Sequence, residues 1–158
     1  TAPVFNRYYK EISSNKENVS LDYKSQLNEK TFSILLKENL EKDKLSFYTS
    51  VGIHKDDIIF NMNNHSVKKI GSQGQQKSFL ISLKLAQFDF ITTKLGFKPI
   101  LLLDDIFDKL DDNRVEQLIS FTSKESFSQV FITDTHEQRS KEILDKTGID
   151  YEIFNIEN

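Results

Sequence analysis

The apolar residues in the first third of the chain recur mainly at helical spacing. They predict a short helix over residues 4–12 and a second helix over residues 29–42. Between these helices, apolar and polar residues alternate over residues 19–23, as in a short exposed strand. The apolar side of the second helix consists of Phe32, Leu35, Leu36 and Leu40. We therefore expect residues 1–46 to form a small, mainly helical N-terminal segment.

The next part of the chain shows strand patterns followed by a long helix. Two strands are predicted over residues 57–62 and 66–70, with the tight turn Asn63-Asn64 between them. A helix over residues 75–94 follows. Its apolar side is expected to contain Phe79, Leu80, Leu83, Ala86, Phe90 and Ile91.

The apolar run at residues 100–103 does not alternate with polar residues. Both faces of this strand are therefore expected to be covered, as in the centre of a parallel sheet. Further strands are predicted over residues 130–132 and 149–153, and further helices over residues 113–122 and 138–146. Alternating strands and helices predict an α/β fold over residues 47–158, with a mostly parallel sheet and flanking helices.

The composition is that of an ordinary globular protein. Of the 158 residues, 37% are hydrophobic and 28% are charged, which is enough for one domain with a core. No apolar run is long enough for a membrane helix, and no charged-then-apolar leader opens the chain. The chain begins with Thr1 rather than Met, as expected of a fragment or a processed chain.

Cysteine is absent, which excludes disulfides and thiolate metal sites and fits a reducing cytoplasm. We expect no membrane partner, because no apolar run is long enough to span one. The net charge is −3, and the lysines are spread along the chain. No basic stripe marks a surface for nucleic acid.

Two acids follow the apolar run directly. Asp104 and Asp105 come at the carboxyl end of the predicted parallel strand, where α/β sheets bind ligands. One carboxylate there can hold Mg²⁺, and the other can orient or deprotonate the water that attacks a phosphate. This is the Walker B arrangement. An acidic loop that merely follows a strand is the other interpretation of the same residues.

More aspartates follow closely, at positions 108, 111 and 112. Asp112 is the one expected to cap the next helix. Asp104, Asp105 and Asp108 together could form the metal cluster of a stand-alone Mg²⁺-dependent phosphohydrolase. A non-enzymatic interaction domain, in which the acids only cap helices, is a third hypothesis.

Residues 71–78 read Gly-Ser-Gln-Gly-Gln-Gln-Lys-Ser and nearly match a P-loop. Gln76, however, stands where a P-loop requires the glycine before its lysine. A loop that opens a helix in this way offers an anion a hydroxyl, backbone amides and the positive end of the helix dipole. Its residues are Ser72, Gln73, Gly74 and Gln75. An ordinary helix start with glycine punctuation is the alternative interpretation.

His136 follows the strand predicted over residues 130–132. From this place its side chain could reach a terminal phosphate. A structural histidine is the alternative interpretation.

In this order, the segments resemble the RecF family of bacterial recombination mediators, which are relatives of SMC-type ATPases. Residues 71–78 are similar to the family's signature at every position, and residues 99–111 are similar to its Walker B strand and D-loop. Residues 52–57 resemble its Gly-Pro-His-Arg-Asp-Asp segment, from which Ile53 and Lys55 depart. The resemblance covers nearly the whole chain. It covers only the carboxy-terminal half of a full family member, which is an ABC-type ATPase head.

The resemblance implies a head-to-head dimer that ATP drives together. Ser72 and Gly74 would contact the γ-phosphate of a nucleotide held by the opposite subunit's P-loop, with Gln73 and Gln75 beside them. Asp104 would hold Mg²⁺.

Three further residues receive roles from the same resemblance. Asp105 would position the attacking water, Asp111 would lie in the D-loop at the dimer seam, and His136 would be the switch histidine. Relatives more broadly carry Glu at the place of Asp105, so the shorter acid implies slow hydrolysis.

The resemblance also implies partners: single-stranded or gapped DNA, and recombination-mediator proteins acting in the SOS response. Because no P-loop is present in this sequence, we expect the chain alone neither to bind ATP tightly nor to hydrolyse it.

Overall fold

The computed structural model describes residues 2–123 and 127–156, apart from the side chains of residues 108 and 109. Helix α1 (Ala2–Ile12) matches the first predicted helix and packs against α4 (Gln73–Leu95) and α6 (Asp112–Thr122). Its inward side chains, which are at most 1% exposed, are Phe5, Tyr8, Tyr9 and Ile12. This helix therefore belongs to the main core.

A three-stranded antiparallel sheet follows α1. It consists of β1 (Val19–Lys24), β2 (Asp57–Met62) and β3 (His65–Ser66), in the order β1-β2-β3. The turn between β2 and β3 has positive φ at Asn63 (48°) and Asn64 (67°), as the twist of a two-residue hairpin requires. Both the strand at residues 57–62 and this turn agree with the sequence prediction.

The returning strand is shorter than predicted. After β3 the chain forms one helical turn, α3 (Val67–Ile70), instead of continuing as a strand to residue 70. The Gly71 amide donates to the Val67 carbonyl at 2.8 Å, and the Val67 side chain is 5% exposed. Turning the backbone here buries Val67 and brings the chain to the start of α4.

Helix α2 (Phe32–Ser46) begins and ends later than predicted. A short 3-10 turn, capped by the Ser25 hydroxyl, precedes it, and Phe47 ends it with a left-handed φ of 57°. Its predicted apolar side is largely uncovered: Leu35 is buried, whereas Phe32 and Leu40 are each about half exposed. Helical spacing was right here, but it did not imply burial.

Helix α4 begins two residues before the predicted start, and Gly96 ends it with a φ of 75°. The predicted apolar side is only partly correct. Phe79 and Ala86 are buried, while Leu80 and Phe90 are more than half exposed. Ile81, Leu85 and Phe88 complete the buried side.

The second sheet is parallel, as predicted. Strands β4 (Ile100–Asp104) and β5 (Gln129–Thr133) pair with Asp104 opposite Thr133. Only one face of β4 is covered, which corrects the expectation that both would be. Leu101 and Leu103 are each 8% exposed, whereas Ile100 and Leu102 are 57% and 71% exposed.

Three helices follow β4: α5 (Ile106–Lys109), α6, and α7 (Glu137–Thr147) after β5. Helices α6 and α7 were predicted, and the single turn α5 was not. The prediction of a strand over residues 149–153 was wrong. These residues follow Gly148 and have no regular secondary structure. The Tyr151 hydroxyl instead donates to Asp145 of α7 at 2.6 Å.

The α/β class is confirmed. One cluster of buried residues runs from Phe5 in α1 to Ile143 in α7 and includes side chains of α4, β4 and α6. Strand β1 pairs with β2 across residue 46, where the sequence placed a division between two segments; that division stays a prediction. No helix within residues 2–123 and 127–156 has the length and apolarity to cross a bilayer.

Candidate functional site

Ser72 is the N-cap of α4. Its hydroxyl accepts a hydrogen bond from the Gln75 amide at 3.2 Å, and its own amide donates to the Gln75 Oε1 at 2.8 Å. This reciprocal capping box fixes the helix start. Gln73, Gly74 and Gln75 thus form the first helical turn rather than the loop expected from the sequence. Amides of a first turn have no acceptors within their own helix, which suits an anion.

A polar network connects this helix start to Asp111. The Gln75 Nε2 donates to Glu17 Oε1 at 2.8 Å, and Arg114 Nη2 donates to the same oxygen at 2.8 Å. Arg114 Nε in turn donates to Asp111 Oδ2 at 3.1 Å. The structure therefore brings together Ser72, Gln75 and Asp111, three of the residues predicted for the nucleotide site.

The charges in this network support each other. Burial acts to raise the pKa of the Glu17 carboxyl. Hydrogen bonds from Gln75 and Tyr9 and the charge of Arg114 outweigh burial and hold this pKa below its ordinary value of 4.5. Burial acts to lower the pKa of the Arg114 guanidinium, but the Glu17 carboxylate raises it. Both groups are therefore ionised at neutral pH.

Asp111, not Asp112, caps α6. Its carboxylate accepts from the Arg114 amide at 3.0 Å, whereas Asp112 is the first helical residue and accepts from Arg139 Nη2 at 2.9 Å. The cap expected of Asp112 is thus moved by one residue. Two adjacent acids at a helix start compete for this place, and sequence alone does not separate them.

Asp104 and Asp105 end β4 in different environments. The exposed Asp104 carboxylate accepts a hydrogen bond from the Thr133 hydroxyl, so it is oriented from the neighbouring strand. Asp105 is half-buried and adopts a left-handed backbone with φ 52° and ψ 45°. Its amide donates to the Thr133 carbonyl at 3.3 Å. Both acids lie at the carboxyl edge of the parallel sheet.

His136 lies just beyond the same edge, three positions after Thr133. It is the N-cap residue of α7, and its Nδ1 lies 3.0 Å from the Thr135 hydroxyl oxygen. His136 therefore lies in the loop between β5 and α7. This loop starts at the same sheet edge at which β4 ends with Asp104.

The described side chains include no group of three histidines or acids that could hold a metal ion. The side chain of Asp108, the third member of the predicted phosphohydrolase cluster, lies outside the described residues. An oxygen site at Asp104 still suits Mg²⁺, because this ion keeps several waters and takes further ligands from substrate phosphates.

The site residues at the helix starts and those at the edge of the parallel sheet are joined through the start of α6. Arg114 Nη1 donates to the Ser78 hydroxyl at 2.9 Å, so the starts of α4 and α6 lie side by side. The start of α6 is connected to β4 by the single turn α5, which also contacts α4. A groove of about 360 Å³ between α4 and β4 has Lys77 and Asp104 among its lining residues.

Glu17 and Arg114 are the residues that the sequence analysis missed. Arg114 carries a weak signal, since it follows the capping Asp111 at the distance of an i,i+3 ion pair. Glu17 carries none, because 97 positions separate it from Arg114.

Comparison with known proteins gives a consistent result. No family model matches the chain. It is 52% identical over 154 residues to the DNA replication and repair protein RecF of Flavobacterium johnsoniae. The matched region covers 98% of this chain and 43% of that protein. The RecF of Parabacteroides distasonis is 47% identical over 155 residues, with 98% and 42% covered. The chain thus spans less than half the length of these relatives.

Two solved structures have a similar fold. One is described as the recombination mediator protein RecF-ATPrS in the RecFOR pathway, with a TM-score of 0.64 and 26% identity. The other is described as RecF-ATP in the same pathway, with a TM-score of 0.63. Each match covers 86% of this chain and 38% of the other.

Proposed function

Because this chain belongs to the RecF family, we propose that it supplies half of a nucleotide site that is completed between two copies of the whole protein. In this proposal the chain is the carboxy-terminal half of an ABC-type ATPase head. The nucleotide is ATP, held mainly by a P-loop that this sequence lacks.

The hydrogen-bonded path from Ser72 through Gln75, Glu17 and Arg114 to Asp111 is the observation that carries the proposal. It joins the signature segment (residues 72–75) to the D-loop acid through continuous hydrogen bonds. Ser72 and Asp111 are both exposed at helix starts, so both are available to a partner's nucleotide.

The signature segment would bind the γ-phosphate. The Ser72 hydroxyl can donate to a phosphate oxygen while its oxygen accepts from Gln75, since a hydroxyl both donates and accepts. The first-turn amides of Gln73 and Gly74 and the positive end of a 23-residue helix favour the same anion.

The edge of the parallel sheet would carry the hydrolytic chemistry. Asp104, oriented by Thr133, would hold Mg²⁺, which supplies charge neutralisation for the phosphates when bound. Asp105 would orient the attacking water from its fixed backbone, and His136 would contact the terminal phosphate. Asp105 is one methylene shorter than Glu, which supports slow hydrolysis.

The wider role proposed is that of a DNA replication and repair protein that acts as a recombination mediator. Single-stranded or gapped DNA, a second copy of the protein and other mediator proteins would be its partners. The descriptions of the relatives support the repair and mediator role. The DNA substrate and the second copy rest on the family resemblance alone.

The test replaces Ser72 by arginine in the whole protein that contains this chain. A long cation at the helix start should block the partner's nucleotide, so we expect ATP-dependent dimerisation to be lost while the monomer binds nucleotide with unchanged affinity. Light scattering and nucleotide titration measure the two quantities.

Ser123→Arg provides the control, because Ser123 is exposed beyond the end of α6. It should dimerise like the wild type. Normal ATP-dependent dimerisation of Ser72→Arg would contradict the proposed role of Ser72.

A further inference from the structure

Arg114 connects three separate parts of the fold through one guanidinium group. Besides Asp111 and Glu17, it contacts Ser78 in α4, whose hydroxyl donates to the Gly74 carbonyl at 2.8 Å. A guanidinium has five donors in a fixed planar arrangement, so it can hold three acceptors at set directions, which a lysine ammonium cannot do.

Glu17 is held equally firmly from the other side. Its Oε1 accepts from both Gln75 and Arg114, and its Oε2 accepts from the Tyr9 hydroxyl at 2.5 Å. The ring of Tyr9 belongs to α1 and is fully buried. The connection between α1 and β1 is thereby anchored in the core on one side and to both helix starts on the other.

The Glu17–Arg114 pair is shielded from water. Its side chains are 13% and 12% exposed, whereas the ion pair of Arg139 with Asp112 has side chains that are 41% and 62% exposed. A shielded, multiply bonded pair holds its geometry more strictly than a surface pair, which gains little from a fixed arrangement.

We propose that Glu17 and Arg114 are positioning residues that fix the separation between the signature segment and Asp111, so that both engage one nucleotide across the dimer interface. This inference rests on the proposed function. Neither residue would contact the nucleotide. They would act through the starts of α4 and α6. The ion pair of Glu17 and Arg114, called the bridge below, would prevent these two helix starts from shifting independently.

Geometry of this kind has large effects on assembly. A displacement of about 1 Å in a positioning element can slow a reaction about a hundredfold. Coupling between two binding sites typically changes affinity by about 5- to 150-fold. The exposed ends of the path, Ser72 and Asp111, belong to different helices. Two hydrogen-bonded routes join these helices at Arg114: one runs from Gln75 through Glu17, and the other runs directly from Ser78.

The first test uses Arg114→Lys and Glu17→Gln in the whole protein that contains this chain. Arg114→Lys keeps the charge and loses the planar fork, and Glu17→Gln keeps the volume and loses the charge. We expect ATP-dependent dimerisation to weaken on the order of ten- to a hundredfold. Nucleotide affinity of the monomer should stay within about twofold of the wild type, because the proposal places neither Glu17 nor Arg114 against the nucleotide of its own subunit.

Two variants separate positioning from general stability. Val115→Ala shortens a fully buried side chain of α6 by two methyl groups and leaves Glu17 and Arg114 unchanged. Arg139→Lys alters the exposed ion pair at the same helix start. Val115→Ala should lower the melting temperature and retain dimerisation, and Arg139→Lys should behave like the wild type. If Val115→Ala weakens dimerisation as much as Arg114→Lys does at an equal melting temperature, positioning is overturned.

A second readout needs no nucleotide. Amide hydrogen exchange in the nucleotide-free protein should become about tenfold faster or more at both residues 73–78 and residues 111–115 in Glu17→Gln, with β1 and β2 unchanged. Unchanged exchange at residues 73–78 would overturn the positioning role. Failure of the wild type to dimerise with ATP would instead count against the proposed function, and hydrogen exchange would still decide the positioning role.

Discussion

Glu17 shows how a single carboxylate acquires several tasks at the scale of one residue. It receives hydrogen bonds from Tyr9, Gln75 and Arg114, and these hold its pKa below 4.5. Because the unfolded chain has the ordinary pKa, ionised Glu17 stabilises the fold above pH 4.5. This stabilisation is lost as the pH falls through the lower folded-state pKa.

We therefore predict that Glu17→Gln lowers the free energy of unfolding by about 2 to 3 kcal/mol at neutral pH. The difference from the wild type should shrink as the pH falls below 4.5. Urea unfolding of this chain over a series of pH values measures both effects.

Glu38→Gln serves as the control for this residue. The ion pair between Glu38 and Lys30 has both side chains 47% exposed. Its loss should change stability by less than about 0.5 kcal/mol. Equal losses for Glu17 and Glu38 would contradict the stabilising role assigned to the bridge.

At the scale of elements, local patterns predicted what local physics decides. The hairpin turn Asn63-Asn64 was predicted because asparagine accepts the positive φ that such a turn requires, and both residues have it. The N-cap at Ser72 is equally predictable from sequence, since serine before a helical pattern is a start signal.

Elements whose outcome depends on distant packing were predicted less well. Residues 149–153 alternate like a strand, but a strand also needs a neighbouring edge to pair with, which alternation does not reveal. Helix α4 carries apolar residues on more than one side, so spacing could not show that Leu80 and Phe90 remain exposed. The bridge of Glu17 and Arg114 was missed for the same reason.

The hairpin offers a test at this scale. Asn64→Val places a β-branched side chain at a φ of 67°, and we expect it to lower the free energy of unfolding by about 1 to 2 kcal/mol. Asn64→Gly accepts the same φ without strain and should change it by less than about 0.5 kcal/mol. Urea unfolding compares the two, and equal effects would show that backbone strain is not the cause.

At the scale of the whole molecule, the parallel sheet presents an apolar surface. Ile100 and Leu102 of β4 are more than half exposed, and Phe131 of β5 is 44% exposed. Contiguous apolar surface of this kind is rare unless something covers it. Since the chain spans 43% of its relative's length, we expect the remaining part of the whole protein to cover this face.

Leu102→Ser should accordingly have opposite effects in two contexts. In this chain alone it should raise the monomeric fraction in size-exclusion chromatography, because it removes exposed apolar surface. In the whole protein it should lower stability by about 2 kcal/mol or more, because the side chain is then buried.

Leu103→Ser is the matched control on the covered face, where the side chain is 8% exposed. It should destabilise both the chain alone and the whole protein by about 3 kcal/mol. If Leu102→Ser leaves the stability of the whole protein unchanged, the face is not covered there.

The long reach of the Arg114 guanidinium has a consequence for building chimaeras between relatives. A graft that exchanged residues 47–158 alone would pair an arginine from one parent with a glutamate position from the other. Residue 46 is thus a poor crossover point between parents that differ at residue 17 or residue 114. The smallest transferable unit begins before α1, and recombinants that respect this limit should inherit both helix starts in register.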